Sequence, residues 1–340
     1  MNIETIARKL NLSASTVSRA LRDCDGVNPR TRKRVIKRAG ELGYRLPELN
    51  KPHGVALLIP GSSIEDAHEL AHRYMVTIGS EVSKLGWQLY MLAVPSLESS
   101  AMDDKSKWPK ALFNEQIDCC ITIDMVTPKA RKLLAEHFSQ NVVMISRFYL
   151  EDGISGVAIA DYDSGRLCVD KLLERGHTKF GWIGSYGSYD ISKKRFFGAA
   201  DKLLDHNLDF STKVWLREAD GLDVDMVNNI MTAALPEKRE DWPTAWIASN
   251  DWLGAKVILW LESIGMKCPD DFSMICFDDT KIAETLAQRK LTSIVSPSTN
   301  VAAGAVKMLV SRWKGETTEP NAWVYPTSFR EGETLGDKKA

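Results

Sequence analysis

The chain lacks the features of a membrane or secreted protein. No apolar run approaches the roughly 20 residues needed to cross a bilayer. The first ten residues, MNIETIARKL, are charged and amphipathic and lack the apolar core of a signal peptide. Six cysteines are scattered without a C-x-x-C pair, so neither a disulfide framework nor a thiolate metal site is indicated. We therefore expect a cytoplasmic protein with free thiols and no membrane contact.

Signatures of common enzyme classes are also absent. The sequence has no G-K-[ST] phosphate loop, no H-E-x-x-H zinc motif, no G-x-S-x-G nucleophile elbow and no G-x-G-x-x-G after a predicted strand. Carboxylate pairs such as Asp103-Asp104 and Asp270-Asp271 lie in loop-like stretches, where solvation accounts for them. We predict no catalytic residue, no metal and no cofactor.

Charge is unevenly distributed along the 340 residues. Residues 1–50 carry 11 Lys and Arg against 5 Asp and Glu, whereas the remaining residues carry 33 against 40. A small basic domain is typical of a nucleic-acid binder, because its cations replace the counterions of phosphates. A solvated basic face is the alternative. The length and the 44% hydrophobic content predict more than one domain.

The first 45 residues contain a predicted helix-turn-helix. Asn11 tolerates a left-handed turn, and Ser13 can cap the helix that follows. The apolar residues of that helix recur on one face, at Val17, Ala20 and Leu21. Its opposite face is small, polar and cationic, as a helix in a DNA major groove requires. Asn28 and Pro29 then predict the cap and first residue of a third helix.

These residues resemble the head of the LacI/GalR family of bacterial repressors. The matching runs are Leu-Ser-x-Ser-Thr-Val-Ser-Arg-Ala-Leu, Val-x-x-x-Thr-Arg-x-Arg-Val and Glu-Leu-Gly-Tyr. The resemblance implies a homodimer on a pseudo-palindromic operator in double-stranded DNA, with bases read by Ala14, Ser15 and Arg19. It implies contacts to the DNA backbone from Ser13, Thr16, Ser18, Arg22, Asn28 and Thr31.

The linker departs from that family. We place the head at residues 1–46, a short linker at 47–54 and a ligand-sensing domain at 55–340. Family members usually have a longer segment with a hinge helix, whose leucine wedges into the minor groove. Leu49 is a possible substitute for that wedge, but we favour a plain tether.

Residues 55–340 alternate continuous apolar strands with helical patterns, including helices at 99–114 and 299–314. This alternation predicts parallel sheets covered on both faces. Two such series make two α/β lobes, for which we predict residues 55–159 with 296–322 and residues 160–295 with 323–340. A last strand from Trp323 to Phe329 is expected in the second lobe. Ligands of such sheets bind beyond the carboxyl ends of the strands, so a cleft between the lobes is the expected site.

The family resemblance continues over nearly the whole chain and implies the fold of periplasmic sugar-binding proteins. It implies ligand contacts from residues that follow strands or open helices: Arg195, Asn250 and Asp278 in the second lobe, and Ser62, Asp124 and Ser146 in the first. Asn250 and Asp251 could instead only cap the next helix, and Asp278 and Asp279 could only form a turn. Among aromatic residues that could stack on a sugar, Trp252 is preferred, because Trp182, Trp246 and Tyr189 are more typical of a core or lobe surface. His177 is interpreted as a helix-capping residue.

The predicted protein is therefore a transcriptional regulator, in the role of a repressor, that responds to a small effector. A carbohydrate is the first expectation for the effector, and a nucleobase or nucleoside is the second. A solute-binding protein would share the two lobes but not the basic head. A sugar-modifying enzyme on the same fold would need an acid and a base in the cleft.

Overall fold

The computed structural model describes residues 3–21, 27–42, 44, 54–60, 69–94, 100–113, 116–123, 127–146, 150–185, 189–216, 224–317 and 319–338. The chain divides into two compact units, Met1–Ala158 with Thr299–Trp323 and Ile159–Ser298 with Val324–Ala340. It therefore passes from one unit to the other three times. Within the described ranges, no helix is both long and apolar enough to cross a membrane.

The head consists of three helices, α1 (Ile3–Leu10), α2 (Ala14–Leu21) and α3 (Pro29–Glu41). Asn11 is left-handed, with φ 55°, and the Ser13 hydroxyl accepts the Thr16 amide hydrogen at 3.1 Å. Asn28 caps α3 by accepting the Arg30 amide hydrogen at 2.9 Å. The buried core of the head is Ile6, Ala7, Val17, Ala20, Leu21, Val35 and Ala39. The predicted turn, caps and inward face of α2 are confirmed.

Strands and helices alternate after the head. The first series is β1 (Gly54–Pro60), α4 (Glu69–Lys84), β2 (Gln88–Val94), β3 (Ile117–Ile123), α5 (Pro128–His137), β4 (Val142–Ile145) and β5 (Ser155–Ile159). The second is α6 (Asp161–Leu173), β6 (Phe180–Ser185), α7 (Tyr189–Asp205), β7 (Phe210–Leu216), α8 (Val224–Ala234), β8 (Ala245–Ala248), α9 (Asp251–Ser263), β9 (Ser273–Phe277), α10 (Lys281–Ala287) and β10 (Thr292–Val295). The chain ends with α11 (Ser298–Trp313), β11 (Ala322–Tyr325) and β12 (Ser328–Arg330).

Each unit contains one six-stranded sheet, and the two sheets have equivalent strand orders. The first is β11-β5-β4-β3-β1-β2 and the second is β12-β10-β9-β8-β6-β7. Strand β1 lies between β3 and β2, and β6 lies between β8 and β7, with parallel pairing on both sides. The next two strands along the chain therefore lie on opposite sides of β1 and of β6, so the strand order reverses there. Such a reversal is where open α/β sheets bind ligands.

Apolar residues cover both faces of the second sheet. Along β9, Met274 and Cys276 belong to one buried cluster, whereas Ile275 and Phe277 belong to another. Because successive side chains of a strand point to opposite faces, these are cores on the two sides of the sheet. The cysteines of the described ranges are all free, as expected: Cys119, Cys120, Cys168, Cys268 and Cys276.

Two predicted elements are wrong, and proline contributes to both errors. Instead of a helix over 99–114, the chain forms three short 3-10 turns, Ser100–Asp103, Lys105–Lys107 and Lys110–Phe113. Pro109 has no N–H to continue a helix, and the Asp104 carboxylate takes the Ser106 amide hydrogen at 2.9 Å. The expected strand from Trp323 to Phe329 is divided at Pro326. Its first part, β11, joins the first sheet, and β12 pairs antiparallel with β10 in the second.

Candidate functional site

The head presents one face of α2 away from its core. Ala14 and Ser15 are exposed, while Ser18 and Arg19 are half-buried. The Ser13 hydroxyl lies 2.8 Å from that of Ser15 and therefore helps to order the start of the helix. A short, polar surface at the start of a helix allows its backbone to approach base edges closely. The face expected to read DNA is thus formed, while the roles of its side chains stay predictions.

Three further head residues predicted to contact DNA lie in the described ranges. Thr16 and Thr31 are half-buried, and Asn28 is exposed with its carbonyl oxygen occupied by the cap of α3. Helix α3 adds exposed cations at Arg30, Lys33, Arg34 and Lys37. Exposed cations beside an N-capped helix can neutralise phosphates. Arg22 and Leu49 lie outside the described residues.

Arg195 is the centre of a buried charge network in the second unit. Its Nε donates to Asp161 Oδ1 at 2.9 Å, and its Nη2 donates to Asp278 Oδ1 at 3.0 Å. Its Nη1 donates to the Ser249 carbonyl oxygen at 2.5 Å, and the guanidinium carbon lies 4.3 Å from the centre of the Phe277 ring. One side chain therefore links α6 to the residues that follow β8 and β9.

Close helix packing brings these charges together. A Cβ atom added to Gly165 would lie 2.0 Å from the Arg195 carbonyl oxygen, and one added to Gly198 would lie 1.9 Å from that of Tyr162. Only glycine fits at both positions, so α6 and α7 approach closely enough for Arg195 to reach Asp161. Although burial alone lowers the pKa of a guanidinium, the Asp278 and Asp161 carboxylates outweigh it and raise the pKa of Arg195.

Asp278 is the most open member of this network. Its side chain is 14% exposed, against 5% for Arg195 and 4% for Asp161. It follows β9 in a left-handed conformation, with φ 89°, and its amide hydrogen bonds to the Ile294 carbonyl oxygen at 3.1 Å. A non-glycine residue in this region is strained and frequently marks a functional site. The Asp278 carboxylate is thus fixed in position and partly accessible.

The first unit has the same backbone arrangement at Ser146. This half-buried residue follows β4, the strand that corresponds to β9 in the strand order. It is left-handed, with φ 79°, and its amide hydrogen bonds to the Val157 carbonyl oxygen at 2.8 Å. The two units therefore place Ser146 and Asp278 at equivalent positions. The other first-lobe candidates, Ser62 and Asp124, lie outside the described residues.

Asn250 and Trp252 flank the start of α9. Asn250 Oδ1 accepts the Leu253 amide hydrogen at 2.8 Å, so the cap that was the alternative interpretation is present. An amide group also has two N–H donors, the kind of group that binds a hydroxyl oxygen. Trp252 is 39% exposed, and Lys256 Nζ lies 4.7 Å from its ring centre.

Two of the aromatic candidates lie in the core, as expected, and His177 joins several elements. Trp182 and Trp246 are fully buried in the second sheet, since their large apolar surfaces fill its two cores. The side chain of Tyr189 lies outside what the structure describes. The amide hydrogen of His177 caps the end of α6 at the Leu172 carbonyl oxygen, 3.2 Å from its nitrogen, as expected. Its buried imidazole also bonds to Thr244 Oγ1 at 3.1 Å and Ser273 Oγ at 3.0 Å, so the side chain ties strand starts together.

Sequence reasoning overlooked two acids in this region. Asp161 and Asp251 were not among the predicted ligand contacts. Both directly open a helix after a strand, the same signal that selected Asn250. Burial raises the pKa of Asp251 to about 7, and the nearby Asp278 charge adds to this effect. The site therefore combines one guanidinium with three carboxyl groups.

Comparison with known proteins matches both parts of the chain. Residues 2–46 match the bacterial regulatory proteins of the lacI family, and residues 169–335 match the periplasmic binding protein-like domain. The HTH-type transcriptional repressor PurR of Aliivibrio salmonicida (strain LFI1238) is 24% identical over 326 residues, covering 93% of each chain.

Solved structures align over almost the full length. A transcriptional regulator CelR–cellobiose complex gives a TM-score of 0.68 at 21% identity, covering 98% of this chain and 100% of the other. The lac repressor dimer bound to operator and the anti-inducer ONPF also gives 0.68, at 17% identity, covering 98% of each chain. At these identities the likeness establishes the fold, a helix-turn-helix head followed by a two-sheet α/β domain.

Proposed function

We propose that this chain, which belongs to the LacI family of bacterial transcriptional regulators, represses transcription from a DNA operator under the control of a small polyhydroxylated effector. The single observation that carries the effector assignment is the Arg195–Asp278 pair at the carboxyl ends of parallel strands. A protein that binds chromosomal DNA in this way acts in the cytoplasm.

The head supports sequence-specific DNA binding. In this proposal Ala14, Ser15 and Arg19 read bases, and the guanidinium of Arg19 forms a bidentate pair with guanine. Two small base-reading residues leave much of the specificity to Arg19 and to the local shape of the DNA. The lac repressor structure is a dimer on operator, and we infer a homodimer on a pseudo-palindromic site for this chain too.

The chemistry of the second-unit site supports a carbohydrate. A carboxylate accepts from two adjacent hydroxyls, whereas a guanidinium donates to hydroxyl oxygens. The pair can therefore bind sugar hydroxyls both as donors and as acceptors. Asn250 donates to the same class of ligand, and Trp252 offers an exposed ring for stacking. At the first sheet we assign the corresponding contacts to Ser146, Ser62 and Asp124. CelR has been solved with cellobiose, which makes that disaccharide a suitable first probe.

Control of DNA binding requires that the effector distinguish two states of the protein. A coupling of about 1–3 kcal/mol between effector and operator is typical of such regulators. By reciprocity, operator DNA must change the affinity for the effector by the same factor. This relation gives a quantitative test of the regulatory assignment.

Thermal unfolding with a panel of sugars, nucleobases and nucleosides tests the effector class. A sugar at 100 times its Kd should stabilise the protein by about 2.7 kcal/mol. Asp278→Asn should abolish this shift without changing the affinity for operator DNA selected from a random pool. If only nucleosides stabilise the protein, the effector is a nucleoside and the sugar assignment is wrong.

Asp209→Asn is a matched control for Asp278→Asn. Asp209 is an exposed carboxylate that pairs with Lys213 of β7. It lies just before β7, at the amino end of that strand, whereas Asp278 follows the carboxyl end of β9. Its substitution should leave the effector-induced shift unchanged. If the Asp278 variant kept the wild-type shift, the site would be wrongly placed. If neither protein bound DNA selectively, the regulator assignment would fail.

A further inference from the structure

We propose that Asp251 is a positioning residue, which holds the turn after β9 so that the Asp278 carboxylate stays available to the effector. The inference rests on the proposed function, because it assigns Asp278 to ligand binding. It concerns a residue that contacts no ligand itself.

The geometry links Asp251 to the turn through one hydrogen bond. Asp251 is the first residue of α9 and is 3% exposed. Its Oδ2 accepts the Thr280 amide hydrogen at 2.5 Å. Thr280 in turn caps α10, with its hydroxyl oxygen 3.4 Å from the Ala283 amide nitrogen. The bond therefore connects the start of α9 to the boundary between the turn and α10.

The turn needs such support because it contains two consecutive left-handed residues. Asp278 has φ 89° and Asp279 has φ 61°. Each non-glycine residue in this region costs about 1–3 kcal/mol and persists only where the surroundings enforce it. The Asp278 amide is held by β10, Arg330 of β12 pairs with the Asp279 carboxylate, and Asp251 holds the Thr280 amide. Three elements thus fix three successive residues.

The electrostatic surroundings disfavour a charged carboxyl group at Asp251, so charge balance does not explain its place. This supports a positioning role. Asp251 and Asp278 carry like charges in a poorly solvated region, and Asp161 adds a third carboxyl group nearby. Arg195 pairs directly with Asp278 and Asp161, whereas the hydrogen bonds that favour charged Asp251 come from Thr280 and the Trp252 amide. An acid placed beside other acids and bonded to a backbone amide fixes geometry rather than balancing charge.

Amide exchange at Thr280 tests the positioning directly and needs no effector. In Asp251→Ala the Thr280 amide should exchange about tenfold faster, because its buried acceptor is removed. Asp251→Asn retains a carbonyl oxygen as acceptor and should stay within about threefold of wild type. In a ¹H–¹⁵N spectrum of the full chain recorded above the raised pKa of Asp251, where its carboxyl group is ionised, the Thr280 amide proton should move upfield in Asp251→Asn, since a charge-assisted bond becomes a neutral one. This second measurement holds even if the alanine variant does not fold.

A matched control is available at Asp271. This exposed residue also accepts a backbone amide hydrogen, that of Lys267 at 2.8 Å, but it precedes β9. Asp271→Ala should leave Thr280 exchange unchanged. Exchange in Asp251→Ala within twofold of wild type, an unshifted Thr280 resonance in Asp251→Asn, or equal exchange in the two Asp251 variants would overturn the proposal.

Ligand affinity distinguishes failure here from failure of the proposed function. With cellobiose as the probe, Asp251→Ala should raise Kd about tenfold, and Asp251→Asn should stay within about threefold. If cellobiose does not bind wild type, the sugar assignment loses support, while the exchange result still decides whether Asp251 holds the turn. If exchange rises but cellobiose affinity is unchanged, the turn is held by Asp251 without serving the ligand, and the proposal is overturned.

Discussion

The two sheets share their strand order and a left-handed residue after the equivalent strands β4 and β9, but they use a buried arginine differently. In the first unit, Arg312 lies where β4 and β5 begin, with Nε 2.9 Å from the Gln140 carbonyl oxygen and Nη1 3.0 Å from Ser155 Oγ. In the second unit, Arg195 lies where β8 and β9 end and pairs with two carboxylates. Arg312 therefore lies at the amino ends of strands in its sheet, and Arg195 lies at the carboxyl ends of strands in the other sheet.

Their partners determine what each arginine can do. Arg312 donates to the Ser155 hydroxyl and to the backbone carbonyl oxygens of Gln140, Gly153 and Glu319. Burial lowers the pKa of Arg312, whereas the carboxylates raise that of Arg195. A guanidinium satisfied by carbonyls joins loops and has no anionic group to offer a ligand. The contrast indicates that a buried arginine marks a binding site when a partly exposed carboxylate accompanies it.

Arg195→Met should have the largest effect on stability. It leaves Asp161 buried without its counter-charge, and removal of one partner of a buried ion pair costs about 3–5 kcal/mol. Burial already raises the pKa of Asp161, so without Arg195 the carboxyl group takes up a proton more readily in the folded state. The loss should therefore shrink as pH falls from 8 to 5. Urea unfolding of the second unit at several pH values measures both effects.

The pH dependence is the decisive part of that experiment. A group with a raised folded pKa binds more protons folded than unfolded, so the variant gains stability on acidification. Asp170→Asn, which removes an exposed partner of Lys202 on α6, serves as the control and should change stability by less than about 1 kcal/mol. A loss in Arg195→Met that is equal at pH 8 and pH 5 would show that the network is not ionic.

Arg312→Met should destabilise the first unit by a smaller amount. Several buried carbonyl groups lose a donor, and an unsatisfied buried group costs about 1–3 kcal/mol, so we expect a total of about 2–3 kcal/mol. Because Arg312 donates to hydroxyl and carbonyl oxygens, which do not titrate in this range, the loss should be constant between pH 8 and pH 5. Arg312→Lys should recover only part of it, since one ammonium cannot reach the same set of acceptors. A strongly pH-dependent loss would contradict the comparison.

Much of the fold was predictable because it follows from periodicity and local chemistry. Continuous apolar strands such as β3 and β9 are buried along their length, and Asn28 and Asn250 cap helices as side-chain chemistry suggests. The errors came where a local feature interrupts a pattern. In the stretch before β3, Pro109 stops a helix that the apolar spacing alone favours.

The candidate site was predictable in part. Arg195 and Asp278 follow from family resemblance and from their places beside strands, but the contact of Arg195 with Asp161 depends on two glycines, Gly165 and Gly198, that allow close helix packing. The role of Asp251 depends on the Thr280 amide, which is 29 residues away along the chain. Contacts of this kind are set by tertiary packing, so no local pattern in the sequence indicates them.

Arg19→Ala extends the comparison to an arginine that we assign to a DNA base, and it should have the smallest effect on free energy. If Arg19 reads a guanine, the variant loses about 1–3 kcal/mol of discrimination at one operator position while folding stability is unchanged. Selection of binding sites from random DNA, followed by affinity measurements, gives this value. Lys33→Ala is the control, because Lys33 is an exposed cation on α3. If it contacts phosphate, its loss should weaken binding to all DNA sequences alike and lower the salt dependence by about one unit. Unchanged sequence preference in Arg19→Ala would contradict the base-reading assignment and leave specificity to Ala14, Ser15 and DNA shape.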